Sequence, residues 1–205
     1  MNGFDLHKTN RSACARWAVL IFTFLCIAAL SSFAQSMSPN QGEKDGVSVG
    51  GKWMKFESED KMTGAHKVRF ELQADNYLKE DPDYKPRVNL YCSNGKYQFA
   101  NFNPGTKLGP PNRPGFYGQP QQVVMVRVND THNYHGWNWL RDRALSMDKG
   151  TVRELIGADI FKIEFGPHGG GHEIAEFSPG GLDQNAIRQA CDLKPKKPGK
   201  SDDGY

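Results

Sequence analysis

The sequence predicts a mainly β domain: an antiparallel sheet or β-sandwich with one or two short helices at its margin, the C-terminal one tied down by a disulfide. Three observations predict it. Short segments alternate apolar and polar residues with a period of two. Turn residues join these segments in succession, without the regular strand–helix alternation of a doubly wound fold. Two cysteines lie far apart in a chain that opens with an export-type leader.

At the N-terminus, Lys8, Arg11 and Arg16 precede the apolar run Ala18 to Leu30, which leads into Ser31-Ser32-Phe33-Ala34. This is the layout of a secretory signal peptide, with small residues at Ser32 and Ala34 before a cut ahead of Gln35. The run is shorter than the roughly 18 to 20 residues that cross a bilayer as a helix, although an uncleaved anchor remains the alternative. Residues 1–34 are therefore read as a leader that sends the chain to the periplasm or outside the cell. Membrane contact is expected only through it. Leu25 is too bulky for lipidation at Cys26. Residues 35–51, polar and rich in Gly, Ser and Asn, read as a flexible linker. Residues 52–193 read as one globular domain, and 194–205 as a disordered tail.

Within the domain, the clearest strand is His66 to Leu72, where Val68, Phe70 and Leu72 alternate with Lys67, Arg69 and Glu71. Arg87 to Cys92 repeats the pattern and runs through Ser93-Asn94-Gly95-Lys96 into Tyr97 to Phe102. Asn-Gly tolerates the positive φ that a two-residue hairpin turn requires. Gln122 to Val128 and Asp159 to Phe165 are further strands, with Trp53 to Phe56 and Glu173 to Phe177 as additional ones. Asn103 to Pro120, half of it Gly or Pro, is a long connection of the kind that often carries function, and it contains Phe116 and Tyr117.

Two short helices complete the pattern. Thr151-Val-Arg-Glu154 has capping-box spacing, and Gly157 ends that helix after about two turns. Near Leu182 to Cys191, the residues Leu182, Ala186, Ile187, Ala190 and Cys191 share one helical stripe. Cys14 and Cys26 leave with the leader, so Cys92 and Cys191 are expected to pair in the oxidising compartment. The bond would clamp the terminal helix onto the sheet. Closing a loop of about 100 residues is worth roughly 4 to 5 kcal/mol in the chain-entropy picture.

The whole chain has 205 residues, 38% hydrophobic and 24% charged, with net charge +3. These figures exclude a collagen-like repeat and a polytopic membrane protein. The leader takes three basic residues and one acidic one with it, so the remainder is close to neutral. Nucleic acid is therefore not an expected partner.

Two constellations invite a chemical reading. His168-Gly-Gly-Gly-His172-Glu173 offers two imidazoles and a carboxylate, legitimate zinc ligands that His132 or His135 could join. Three intervening glycines argue against the helix a zincin motif needs, and a simple glycine turn is the alternative. Thr131-His-Asn-Tyr-His-Gly-Trp-Asn-Trp139 is the most aromatic segment. Tyr134, Trp137 and Trp139, with Phe116 and Tyr117, form a candidate platform for a protein or glycan partner, set against the alternative that the tryptophans close the core. No Ser lies in a Gly-x-Ser-x-Gly elbow, and no phosphate-binding glycine loop is present in the sequence.

Several segments in order resemble the type VI secretion-associated accessory family often called TagO or VasI. They are Trp53 at the domain start, Asp60-Lys-Met62-Thr-Gly64, Val68 to Leu72, Pro86-Arg-Val88-Asn-Leu90-Tyr-Cys92, Val124-Met-Val126-Arg127, Trp137-Asn-Trp139, and Phe177-Ser-Pro-Gly-Gly181-Leu182 through Cys191. The resemblance implies an exported accessory protein and brings no catalytic residues with it. The functional expectation is a non-enzymatic envelope protein that binds an envelope protein or glycan through aromatic loops. A cell-wall hydrolase, metal-assisted through His168, His172 and Glu173 or dependent on carboxylates, and a secreted enzyme inhibitor are the alternatives.

Overall fold

The computed structural model describes residues 45–79, 81–140 and 143–196. The predicted leader and residues 197–205 of the predicted tail lie outside the described residues. Eleven strands form one antiparallel sheet: β1 Val47–Ser48, β2 Trp53–Glu59, β3 His66–Gln73, β4 Arg87–Ser93, β5 Lys96–Asn103, β6 Arg113–Pro114, β7 Pro120–Val128, β8 Thr131–Leu140, β9 Ala144–Met147, β10 Phe161–Phe165 and β11 Glu173–Phe177. Two helices, α1 Lys149–Ile156 and α2 Gln184–Cys191, pack at its margin. The strand order is β1-β2-β3-β4-β5-β9-β8-β7-β10-β11, with β6 alongside β7. The predicted fold class is the one observed.

Alternation decides which face is buried. Val68, Phe70 and Leu72 of β3 and Val88, Leu90 and Cys92 of β4 point inward, as do Val124 and Val126 of β7 and Phe161, Ile163 and Phe165 of β10. The sheet folds over on itself in a sandwich-like way. The Phe102 ring of β5 meets Phe165 of β10 edge-on at 5.2 Å and Phe177 of β11 at 6.4 Å, across strands that are distant in sheet order. Such edge-to-face pairs add to the gain from burying the rings.

The chain stitches the two ends of the sheet together. After β3, Asp75 N–H donates to the Glu176 carbonyl at 2.7 Å. Asn76 Nδ2 donates to the Ile174 carbonyl, and Asn76 Oδ1 accepts from Glu176 N–H, both at 2.8 Å. A strand edge that would otherwise carry unpaired peptide groups is thereby satisfied. Nearby, the buried Trp53 Nε1 donates to the Pro179 carbonyl at 2.8 Å. Gly51, at φ +56°, lets the turn before β2 approach the loop after β11, because a Cβ there would lie 2.1 Å from the Gly180 carbonyl oxygen.

Cys92 and Cys191 are disulfide-bonded, with Cα atoms 5.2 Å apart and a sequence separation of 99. Helix α2 buries Ile187 and Cys191 against the sheet, so the bond is the predicted clamp. The β4–β5 turn is also as predicted, with Asn94 at φ 48° and Gly95 at φ 75°.

Five elements depart from the sequence expectation, one of them β6, which lies in the segment read as a long connection. The segment read as a linker contains β1, which pairs Val47 with Lys55. The segment read as an aromatic loop is β8, a ten-residue strand. Its alternation was hidden because His, Asn and Gly dilute the apolar positions. The four-residue β9 is too short to show a period. Helix α1 begins at Lys149, three residues before the expected start, and its N-cap is Asp148 rather than Thr151.

Candidate functional site

The long connection between β5 and β7 ends in a small hairpin that carries the most exposed aromatic pair. Arg113 and Pro114 of β6 pair with Gln121 and Pro120 of β7. The turn between them is closed by Gly115 N–H to the Gln119 carbonyl at 2.8 Å and Gly118 N–H to the Gly115 carbonyl at 2.9 Å. Tyr117 N–H is held by Gln119 Oε1 at 3.2 Å. At the tip, Phe116 is 93% exposed and Tyr117 82% exposed, with ring centroids 4.8 Å apart in an edge-on arrangement. Two prolines and several hydrogen bonds thus present two rings to solvent in a fixed geometry.

The other predicted aromatic residues divide between the surface and the interior. Tyr134 is 74% exposed on the outer face of β8, opposite Met125. It lies four residues along the strand from Asn138, the partner of Gln121 at the hairpin base. At the usual strand rise, that separation is roughly 14 Å. Trp137 is 1% exposed and belongs to the core, which corrects its placement in an exposed platform. Its large apolar surface gains more by burial, and its Nε1 finds a partner in Asp148 at 3.1 Å. Trp139 is half-buried against the core, and its Nε1 is buried without a hydrogen-bond partner. The single platform expected from the sequence is therefore a tip pair, Phe116–Tyr117, and a separate exposed ring, Tyr134.

The histidine–glycine segment forms a turn between β10 and β11, with Gly170 and Gly171 at φ +85° and +80°. His172 Nδ1 lies 3.2 Å from Glu164 Oε1. Glu173 pairs in register with Phe165, whereas Glu164 pairs with Ile174, so Glu164 and Glu173 project from opposite faces of the sheet. His168 is anchored through its backbone, its N–H donating to the Lys107 carbonyl at 2.9 Å. Among the described residues no three His, Cys, Asp or Glu side chains are grouped to hold a metal ion. The structure does not bring His168, His172 and Glu173 together as a three-ligand set.

A third cluster was not foreseen. Asp148 caps α1 by accepting Thr151 N–H at 2.8 Å on Oδ1, while its Oδ2 accepts the Thr151 hydroxyl at 2.7 Å and Trp137 Nε1 at 3.1 Å. His135 Nδ1 lies 3.2 Å from the same Oδ2 and 3.3 Å from Thr151 Oγ1. Desolvation alone would raise the Asp148 pKa, but these donors outweigh it and hold the carboxyl well below the usual range. Burial, and then the negative charge of Asp148, push the neighbouring Tyr97 phenol up to about 12. Four donors on one carboxylate make this arrangement a helix cap tied to a strand. The sequence signal was Asp148 three residues ahead of Thr151, the spacing of a side chain that caps the third helical N–H.

No family model, curated protein or solved structure matches this chain. The geometry therefore carries the functional reading. Of the three clusters, the cap is internally satisfied and the histidine turn is dispersed. The hairpin tip presents two adjacent, almost fully exposed aromatic rings on a hydrogen-bonded support. No helix among the described residues is long and apolar enough to cross a membrane.

Proposed function

We propose that the protein is an exported, non-enzymatic binding protein that docks another envelope protein by inserting the Phe116–Tyr117 hairpin tip into an apolar pocket. The observation that carries this reading is the near-complete exposure of two adjacent aromatic rings on a hydrogen-bonded hairpin. Leaving such a side chain in water forgoes roughly 1.5 to 3 kcal/mol of burial. A partner recovers that energy, and a tip already held in shape loses little conformational freedom on binding. Aromatic residues are also enriched where proteins meet one another.

Export is supported by the leader-like N-terminus and by the disulfide, which persists in oxidising compartments. The residue resemblance to the TagO/VasI family supports placing the partner near a secretion apparatus. The test is a photo-crosslinking residue at position 113, an exposed position at the hairpin base, used in envelope extracts with the wild-type tip and with Phe116→Ser/Tyr117→Ser. A discrete adduct that disappears in the double variant is expected. The same adducts in both proteins would rule out the tip as the docking element.

A further inference from the structure

The outer face of the sheet carries a register row that is polar across six strands. Glu71 of β3 lies opposite Asn89 of β4, and Asn89 opposite Asn101 of β5. Asn101 lies opposite Ser146 of β9, Ser146 opposite Asn138 of β8, and Asn138 opposite Gln121 of β7. With strands about 4.8 Å apart, the row is roughly 24 Å long and runs straight across the strands.

An outward face is expected to be polar, but strands disfavour Asn. Three Asn in a single row break that local preference repeatedly, and such departures gather at functional sites. The amides are also organised. Asn89, only 6% exposed, donates through Nδ2 to Asn101 Oδ1 at 3.2 Å and accepts from Arg69 at 3.0 Å. Gln121 Nε2 donates to Asn138 Oδ1 at 2.7 Å. Gln121 lies flat across Gly136, where a Cβ would come within 2.6 Å of its Oε1.

These bonds engage the side-chain oxygens of Asn101 and Asn138 and leave their N–H2 groups for other partners. Among the described residues, neither Nδ2 nor the Ser146 hydroxyl has a protein hydrogen-bond partner. The middle of the row thus offers donors and a hydroxyl to a ligand.

The adjacent row supplies an apolar rail. Phe56 lies opposite Arg69, Arg69 opposite Tyr91, and Tyr91 opposite Phe99. Tyr91 and Phe99 stack with centroids 4.5 Å apart, and the Arg69 guanidinium lies 4.0 Å over the Phe56 ring. Glu71 engages both Arg69 and Arg87, leaving too little positive charge to favour a polyphosphate. Neutral amides and a hydroxyl beside aromatic faces complement a molecule with a ring of hydroxyls at its edge and C–H groups on its face.

We infer that this outer face is a binding track for one strand of an uncharged, extended polysaccharide of the β-1,4-linked, ribbon-like kind, laid along the amide row. The track does not depend on the hairpin-tip reading. The test is calorimetric titration of the full-length protein with cellohexaose and with chitohexaose. The comparison uses wild type, Asn101→Thr/Asn138→Thr, Ser146→Ala and Phe116→Ser/Tyr117→Ser. Wild type is expected to bind at least one sugar. Ser146→Ala, a small change on a surface strand, should weaken binding about threefold to tenfold, and the Asn double variant by tenfold or more.

Absence of binding to both sugars by the folded wild-type protein overturns the proposal. So does unchanged affinity in Ser146→Ala and the Asn double variant; if the latter does not fold, Ser146→Ala decides alone. Loss of sugar binding in the Phe116/Tyr117 variant alone would move the glycan to the tip and overturn the track, while leaving the tip as a docking element.

Discussion

His135 Nδ1 lies 3.2 Å from Asp148 Oδ2, on the carboxylate that also caps α1. One side chain therefore joins β8, through His135 and Trp137, to the first turn of the helix. Asp148→Ala removes a cap worth about 1 kcal/mol. It also leaves the Trp137 indole N–H without its partner, at a cost of about 1 to 3 kcal/mol. Urea unfolding should show a combined loss of about 2 to 4 kcal/mol. The folded carboxyl titrates below its unfolded value of about 3.9, so its contribution is fully present above that pH and fades as pH falls through the folded value. In Asp148→Asn the decline of stability below about pH 4 should be shallower than in wild type.

Tyr97 gives the opposite limb. Its phenol is raised to about 12, first by burial and then by the charge of Asp148. The fold favours the neutral form. The stabilisation is present below the unfolded value of about 10 and is lost as pH rises from there through about 12. An ultraviolet difference titration should find Tyr84 and Tyr97 ionising late, both raised by burial, and Asp148→Asn should bring the Tyr97 transition alone to lower pH.

The aromatic residues of the candidate platform should separate in their effect on stability. Trp137→Ala empties a fully buried site and should cost about 3 to 5 kcal/mol. Phe116→Ser/Tyr117→Ser touches an exposed tip and should change stability by no more than about 0.5 kcal/mol per residue. Thermal melts of the two variants side by side would check both.

Removing the disulfide by Cys92→Ser/Cys191→Ser should lower stability by up to about 4 to 5 kcal/mol. The loss should begin locally. Helix α2 is held by Ile187 and by this bond, so its amides should lose hydrogen-exchange protection before those of β10, which pairs with strands on both sides.

The strands with apolar residues on one face were legible because a period of two survives in Val68-Phe70-Leu72 and Val88-Leu90-Cys92. The clamp was legible because only Cys92 and Cys191 follow the predicted leader. Strand β8 was not, since three of its five inward positions are Thr, Asn or His and its apolar signal rests on two tryptophans. The tip pair could be named from Phe116 and Tyr117 amid Gly and Pro, but their exposure depends on the β6–β7 pairing. The amide row was invisible. Its members come from six strands and share nothing in sequence, so they emerge as neighbours only when the register is known.

The closure at Asp75 and Asn76 bears on how this chain meets copies of itself. An exposed strand edge invites another chain to add its own strand, and long sheets pay for that with aggregation. Here β1 is two residues long, and the free side of β11 is occupied by Asp75 and Asn76. Among the described residues the β11 end thus offers a stranger no long run of unpaired peptide groups, and crowding finds little backbone template there on which to nucleate.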